Sequence, residues 1–340
     1  MVHVGVDLHK RVSQIAVLTA EGVLTQHRIA NTPDRVHRFF AQLPSPARVA
    51  IEASGTWWWL ADLLEGLGHQ PILSHPKHTK AIAAARLQND RVDAARLVHL
   101  LRGDLLPQVW IPPPAVREAR ELLRHRVALV RVRTGIKNHL FALLARRNLH
   151  PTSATRWCTA RGLRECQDLP LGPLPTMVKE GCLALLRVLD EQIRDLDHEL
   201  TRRWGADPRV RRLMSIPGIG PFVAIALVLE LGDIHRFPTA KHVASYVGLV
   251  PRVRDSGERV RRGHIVKEGN RLLRWALVLA ATQATRRPGP LRTWFRTMQQ
   301  RKGKMIARVA LARRLAEIAY RVWKEDCDYL ALLRHGAVQG

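Results

Sequence analysis

Four acidic side chains in the first third of the chain have the types and spacing for phosphodiester chemistry. Asp7 closes an otherwise apolar run, Val4-Gly5-Val6-Asp7, and Glu52 closes another, Val49-Ala50-Ile51-Glu52. Both runs read as buried strands, where an ionised acid is costly unless it is paired or holds a cation. Asp90 and Asp93 are three residues apart, which puts both on one face of a helix. Four carboxylates drawn to one point repel each other unless cations neutralise them. Oxygen donors without a cysteine cluster favour Mg2+ (Mn2+ can substitute) over zinc. Two such ions about 4 Å apart activate a phosphodiester for in-line displacement. Each acid also has a plainer role open to it: Asp90 as a helix cap, Asp93 as an ion-pair partner of Arg96.

The elements that must position these acids are legible from periodicity. Runs at 2–9, 14–20 and 23–30 are β-rich, joined by short turns, and read as an antiparallel meander. Asn31-Thr32-Pro33-Asp34 starts a helix over 33–43; a strand at 47–53, a helix from about 55 and a strand at 69–74 follow. Helices near 76–85 and 90–102 and a short edge strand within 106–112 complete the unit. Three antiparallel strands, then helix, strand, helix, strand, helix, is the order of a ribonuclease H-like fold. Its first and fourth strands are neighbours, so Asp7 and Glu52 are expected side by side. Pro112-Pro113-Pro114 closes this domain, residues 1–112. Trp57-Trp58-Trp59 is expected to pack under the sheet or at an interface, with base stacking as the other reading.

The rest of the chain reads as all-α. Long amphipathic helices over 115–146 and 177–204, separated by a Pro- and Gly-rich loop at about 150–176, predict an antiparallel coiled-coil arm at 113–205 that serves oligomerisation, with a helical core subdomain as the other reading. Residues 206–330 predict a helical domain. Helix 208–215, Pro217-Gly218-Ile219-Gly220 and helix 221–231 form a helix-hairpin-helix signature, in which Gly218 and Gly220 are expected to let backbone N–H groups meet a nucleic-acid phosphate, with a purely structural turn as the other reading. Helix 239–247, a basic loop at 251–270, helix 270–286 and a helix at 304–324 follow, with a loose tail at 331–340.

Charge divides the same way. The chain carries 55 Lys and Arg against 29 Asp and Glu, a net +26. Residues 1–110 hold 12 basic and 9 acidic residues, net +3; residues 111–340 hold 43 and 20, net +23. One genome's codon bias does not explain a difference within one chain. The back part is built to grip a polyanion, DNA or RNA. Four scattered cysteines without a Cys-x-x-Cys pair argue against a zinc site or a disulfide scaffold and fit a bacterial cytoplasm, with the protein at the nucleoid. No apolar stretch of about 18 residues predicts a membrane span.

Gly5-Val6-Asp7-Leu8-His9-Lys10, Ile51-Glu52-Ala53-Ser54-Gly55, Asn89-Asp90-Arg91-Val92-Asp93, the Pro-Gly-Ile-Gly turn, Ala244-Ser245-Tyr246-Val247-Gly248-Leu249 and Lys267-Glu268-Gly269-Asn270 occur in one order over nearly the whole chain. That series resembles the DEDD transposases of bacterial insertion sequences, family one hundred and ten. The resemblance implies a RuvC-like domain, a coiled-coil arm and a C-terminal transposase domain. It implies metal ligands at Asp7, Glu52, Asp90 and Asp93 and a nucleophilic serine at Ser256. It also implies a dimer or tetramer guided by a structured RNA from the element. The family's Lys-Thr-Asp before the third acid is here Gln88-Asn89-Asp90, which keeps the acid and drops a basic neighbour. Taken on its own, Ser256 is a turn residue before Gly257. Its surroundings suit an attacking alcohol: Arg252, Arg254, Arg259, Arg261 and Arg262 neutralise a phosphate, and Gly257 allows close approach. Lys267, with Arg271 and Arg274, adds positive charge at the next helix. Two other functions remain open to the same residues: a RuvC- or ribonuclease H-type junction nuclease using water, and a DNA-binding protein without catalysis.

Overall fold

The computed structural model describes residues 1–53, 55–82, 90–149, 159–256, 259–266 and 268–334; the side chains of residues 90, 91, 160, 252–256, 259–262 and 264 lie outside the described set. The chain divides into two units, Met1–Pro112 and Pro113–Gly340.

In the first unit, β1 (His3–Leu8), β2 (Val12–Leu18) and β3 (Leu24–Ala30) form the antiparallel meander. Then come α1 (Pro33–Ala41), β4 (Arg48–Glu52), α2 (Trp58–Gly66), β5 (Gln70–Ser74), α3 (Pro76–Ile82), α4 (Asp90–Arg102) and β6 (Gln108–Val109). They build one six-stranded sheet in the order β3-β2-β1-β4-β5-β6, with β1, β4 and β5 parallel. This mixed α/β architecture is consistent with a ribonuclease H-like fold. Alternation along the strands sorts the two faces. Val4, Val6, Ile15, Val49, Ile51 and Leu73 point to one face and pack with Val36 and Phe40 of α1 and Leu60 and Leu64 of α2. Trp57 is 8% exposed within this core and Trp58 packs against it, so packing under the sheet accounts for both. The other face is small-residued. Gly5 must be glycine there, because a Cβ would stand 2.2 Å from the Ala94 carbonyl oxygen of α4. Ala94 and Val98 close over Ala16 and Leu18, and Leu97 and Leu101 over Ala50.

The second unit starts with two 32-residue helices, α5 (Pro114–Ala145) and α7 (Pro173–Trp204). They run antiparallel: Arg126 pairs with Asp197, and Arg133, seven residues on, with Asp190, seven residues back. Helix α7 starts earlier than the sequence predicts, because Pro173 and Pro175 fit a first turn whose N–H groups have no helical partner to lose. The predicted loop at 150–176 contains a further helix, α6 (Ala160–Gln167). Lys179, 4% exposed, holds it by donating to the Gln167 and Leu169 carbonyls at 2.8 Å each. Ala119, Leu123, Val127 and Leu200 at the base of the helix pair belong to the same core as α8 (Pro208–Met214), α9 (Pro221–Leu231), α10 (Ala240–Val247), α11 (Arg271–Ala284), α12 (Pro290–Lys302), α13 (Lys304–Lys324) and α14 (Tyr329–Arg334). The helix pair therefore grows out of the C-terminal core.

Three further segments differ from the sequence reading. The predicted basic loop is an antiparallel hairpin, β7 (Pro251–Ser256) and β8 (Arg259–Ile265). Its alternating Arg-Val-Arg pattern has strand period, which the density of arginine masks. Helix α12 lies between Gly289 and Gly303 where no element is predicted. The tail begins later than 331, since α14 buries Tyr329 at 2% and Leu332 at 0% exposure.

Candidate active site

The parallel pairing of β1 and β4 sets Val4 against Val49, Gly5 against Ala50 and Val6 against Ile51. One step further in that register, Asp7 lies beside Glu52 at the carboxyl ends of both strands. Register partners share a face, so both acids rise on the α4 face. The row extends across the whole sheet: Gln14 opposes Asp7 and Arg28 opposes Gln14, while Ser74 opposes Glu52 and Gln108 opposes Ser74. Six neighbouring strands thus each present a polar residue at one level. One level below, the sheet offers Ala16, Gly5, Ala50 and Ile72, which α4 covers.

Helix α4 runs antiparallel to β1. Its C-terminal Arg102 reaches Gly22, in the turn beyond Leu18, and Leu18 opposes His3 at the start of β1. Its N-terminus therefore points toward Asp7. Ala94 sits over Gly5. From there, four residues of helix rise about 6 Å and two residues of strand rise about 6.6 Å. The backbone of Asp90 thus comes level with Asp7. Asp93, on the same first turn, accepts from Arg96: Nη1 lies 2.9 Å from its Oδ1. Asp7 Oδ2 stands 3.2 Å from His9 Nε2, and the Asp7 side chain is 15% exposed. Among the described residues no group of three or more His, Cys, Asp or Glu side chains is gathered closely enough to hold a metal ion. The side chain of Asp90 lies outside the described residues. The structure thus brings Asp7 and Glu52 together and aims the start of α4 at them, without a preformed cluster among the described side chains.

A different carboxylate dominates the second unit. Glu230 on α9 is 0% exposed. Arg124 of α5 grips it with Nε at 2.9 Å and Nη2 at 3.0 Å, and Asn270 Nδ2 donates to it at 2.7 Å. Arg120 caps the α9 carbonyls of Leu229 and Glu230. Burial lowers the Arg120 pKa, partly offset by Glu230; burial is also the largest single influence on Arg124, but the hydrogen bonds to Glu230 and the attraction of its charge together outweigh it and raise that pKa. Asn270 caps α11 through Leu273 N, and its own N–H donates to the Tyr246 carbonyl. Gly248 and Gly269 cross here with positive φ; a Cβ on Gly269 would stand 2.4 Å from Tyr246 O. These contacts close the root of the β7–β8 hairpin, which carries Ser256 as the last residue of β7, opposite Arg259.

A transposase model of the DEDD IS110 type matches residues 4–148, and a model described as transposase IS116/IS110/IS902 family matches residues 210–296. A probable family 20 transposase of Pseudomonas aeruginosa is 30% identical over 337 residues, covering 96% of this chain and 98% of that protein. The transposase for insertion sequence element IS1111A of Coxiella burnetii is 28% identical over 93% of this chain and 88% of its own. The pilin gene-inverting protein of Moraxella bovis is 27% identical over 83% and 81%.

The chain belongs to the IS110 family of DEDD transposases.

Such a protein is a transposase, an enzyme of DNA recombination in insertion elements. In this transposase the hairpin turn between α8 and α9 has its own packing logic. Gly218 has φ +93°, and a Cβ there would meet Ala280 O at 2.3 Å and Ala284 N at 2.7 Å. Gly220 caps α9 in extended backbone, with open space where a Cβ would go. The turn lines a cleft of about 630 Å³ together with Gln283, Arg286 and Arg287 at the end of α11. The side chains of Arg252, Arg254, Ser256, Arg259, Arg261 and Arg262, and all of Gly257 and Lys267, lie outside the described residues. Two signals were available in the sequence and point to groups missed there. Pro71-Ile72-Leu73-Ser74 ends an apolar strand on a polar residue, as the Asp7 and Glu52 strands do. Glu230 interrupts an otherwise apolar helix. No described helix is long and apolar enough to cross a membrane.

Proposed function

We propose that this transposase cuts and rejoins DNA with Asp7, Glu52, Asp90 and Asp93 as ligands of two Mg2+ ions and Ser256 as nucleophile. The observation that carries the reading is the placement of Asp7 beside Glu52 under the start of α4, in a family whose relatives carry transposase and gene-inverting names. The donor set fits hard divalent ions: carboxylate oxygens in one polar row, with the buried Ser74 hydroxyl unpartnered among the described residues. Bound there, such ions supply charge neutralisation for a phosphodiester under attack.

The protein's own groups carry the rest. Ser256 Oγ attacks phosphorus as its proton leaves to a base or solvent. The P–O3′ bond breaks, the 3′ oxygen takes a proton, and a 5′-phosphoserine remains. A 3′-OH of another strand then attacks the same phosphorus and returns the serine, so one phosphodiester is lost and one gained. The arginines at 252, 254, 259, 261 and 262 neutralise the phosphate, and the N–H groups at the start of α9 near Gly218 and Gly220 and Lys267 hold neighbouring backbone. The net +23 of residues 111–340 suits DNA and a structured guide RNA together. The α5–α7 pair serves as a coiled-coil arm for a dimer or tetramer; Leu174, Met177, Val178, Leu185 and Val188 recur on an exposed face of α7 at helical spacing.

The test is a denaturing gel of protein incubated with element-end DNA, Mg2+ and its RNA. Wild type is expected to leave a protein–DNA adduct that Ser256→Ala lacks. Strand joining by Ser256→Ala, with no adduct from wild type, excludes the serine route and favours water-dependent cleavage. Nucleic-acid binding is expected to weaken about 10³-fold from about 50 to 200 mM salt if some six phosphates are contacted; a flat profile contradicts the polyanion reading.

A further inference from the structure

Asp7, Glu52 and Ser74 sit on three adjacent parallel strands, each ending an apolar run, at one level and on the face that α4 covers. Two of the three are acids with a clear reason to be there. The third is a hydroxyl in a fully enclosed position. Ser74 is 0% exposed, and its Oγ finds no hydrogen-bond partner among the described residues. Its backbone is engaged in the sheet: the carbonyl accepts from Ala53 N at 3.0 Å, and the strand pairs on both sides. A buried hydroxyl without a partner is a cost that alanine avoids. Ala50, one strand over and one level down, shows that a methyl suits this face.

We propose that Ser74 is a positioning residue of the acidic site, whose hydroxyl donates a hydrogen bond to the Glu52 carboxylate when a divalent cation draws that carboxylate into place. The proposal rests on the metal-site reading above and adds a residue to it. Register makes Ser74 the direct neighbour of Glu52 on the same face of the sheet. A carboxylate that ligates a cation with one oxygen has the other free to accept. A donor on that oxygen fixes its orientation, and loss of such a supporting partner typically costs about 10–100-fold in metal affinity. The buried Ser74 hydroxyl then supplies the donor half of that bond.

The experiment measures Mn2+ affinity by titration calorimetry or electron paramagnetic resonance on the full chain, with thermal unfolding in EDTA as the second readout. Ser74→Ala is expected to weaken Mn2+ binding by about 10-fold, with a melting temperature equal to or above that of wild type. Ser74→Cys, a poorer donor of similar size, is expected to fall between the two. Unchanged Mn2+ affinity in Ser74→Ala overturns the proposal. A lowered melting temperature in EDTA, or failure to fold, also overturns it, because the hydroxyl is then a structural one. Asp7→Asn separates this from the underlying reading. If Asp7→Asn leaves Mn2+ binding intact, the acidic site itself is wrong; if it abolishes binding while Ser74→Ala does not weaken it, Ser74 alone is misassigned.

Discussion

Two places in this transposase take carboxylates out of water, and they treat them oppositely. In the second unit Glu230 is wholly buried and wholly answered, by two nitrogens of Arg124 and the amide of Asn270. In the first unit Asp7 and Glu52 come side by side next to a hydroxyl without a partner among the described residues, and like charges adjacent in a sheet repel. A carboxylate saturated by protein donors has nothing left to offer a ligand and serves the fold. Asp7, though it meets His9 at 3.2 Å, has a second acid for a neighbour, and the function proposed above makes the two of them working groups. The contrast separates a structural charge from a working one without reference to conservation.

The largest effect that sharpens this contrast is expected from Asp7→Asn. Losing one charge-stabilising ligand is worth several kcal/mol at the transition state, so cleavage should drop on the order of 10³-fold. The fold should keep its stability, since the relieved repulsion with Glu52 offsets the weakened contact with the half-exposed His9. A gel-based cleavage rate and a thermal melt check both halves. An Asp7→Asn protein that melts lower would break the contrast, by making Asp7 structural as well.

Glu230→Leu tests the other side. Removing one member of a buried ion pair costs about 3–5 kcal/mol. The low end applies, because Arg124 is 51% exposed and can turn to water, while Arg120 keeps its two carbonyl partners. About 3 kcal/mol in a unit of this size lowers its melting temperature by about 10 °C. Calorimetry should assign that loss to the second unit. An unchanged melt with lost activity would make Glu230 a working group and erase the distinction.

The glycines of the α8–α9 turn repeat the contrast in backbone. Gly218→Ala forces a Cβ against two backbone atoms of α11 at a positive φ, at a cost of about 2 kcal/mol or more. Gly220→Ala meets nothing within 4 Å in ordinary extended backbone, and should stay within about 0.5 kcal/mol of wild type. Urea midpoints decide it. Equal losses would mean that the turn, rather than contact with α11, requires Gly218.

How much of this was legible in the sequence follows from where the physics is local. The strands of the first unit alternate or run apolar, as one-sided or two-sided burial requires. Their succession could therefore be read from residues 2 to 74, while the meeting of Asp7 and Glu52 came from the likeness of that succession to a ribonuclease H-like fold. The long helices were readable for the same reason. The β7–β8 hairpin was not, because its strand-period Arg-Val-Arg alternation is hidden by a density of arginine that reads as a solvated loop. Ser74 and Asn270 were missed because their meaning comes from neighbours: a serine is informative only once its register partner is Glu52, and an asparagine only once it reaches Glu230 from 40 residues away.

Asp93 lies between the two extremes, and the smallest predicted effect concerns it. Its carboxylate is one-third exposed and already accepts from Arg96, whose Nη2 is buried without a partner among the described residues. A cation at the acidic site competes with that guanidinium for the same oxygen. Arg96→Met keeps most of the side-chain volume and removes the competitor. An ion pair of this partly exposed kind is worth up to about 1 kcal/mol, so Mn2+ should bind up to about 5-fold more tightly. Stability should move little, because the lost ion pair is balanced by removal of an unsatisfied buried nitrogen. Unchanged Mn2+ affinity would take Asp93 out of the ligand set and leave it with Arg96 as a structural pair, on the Glu230 side of the divide. Weaker binding would mean that Arg96 holds Asp93 in the orientation the cation needs, which makes the pair a support for the site instead of its rival.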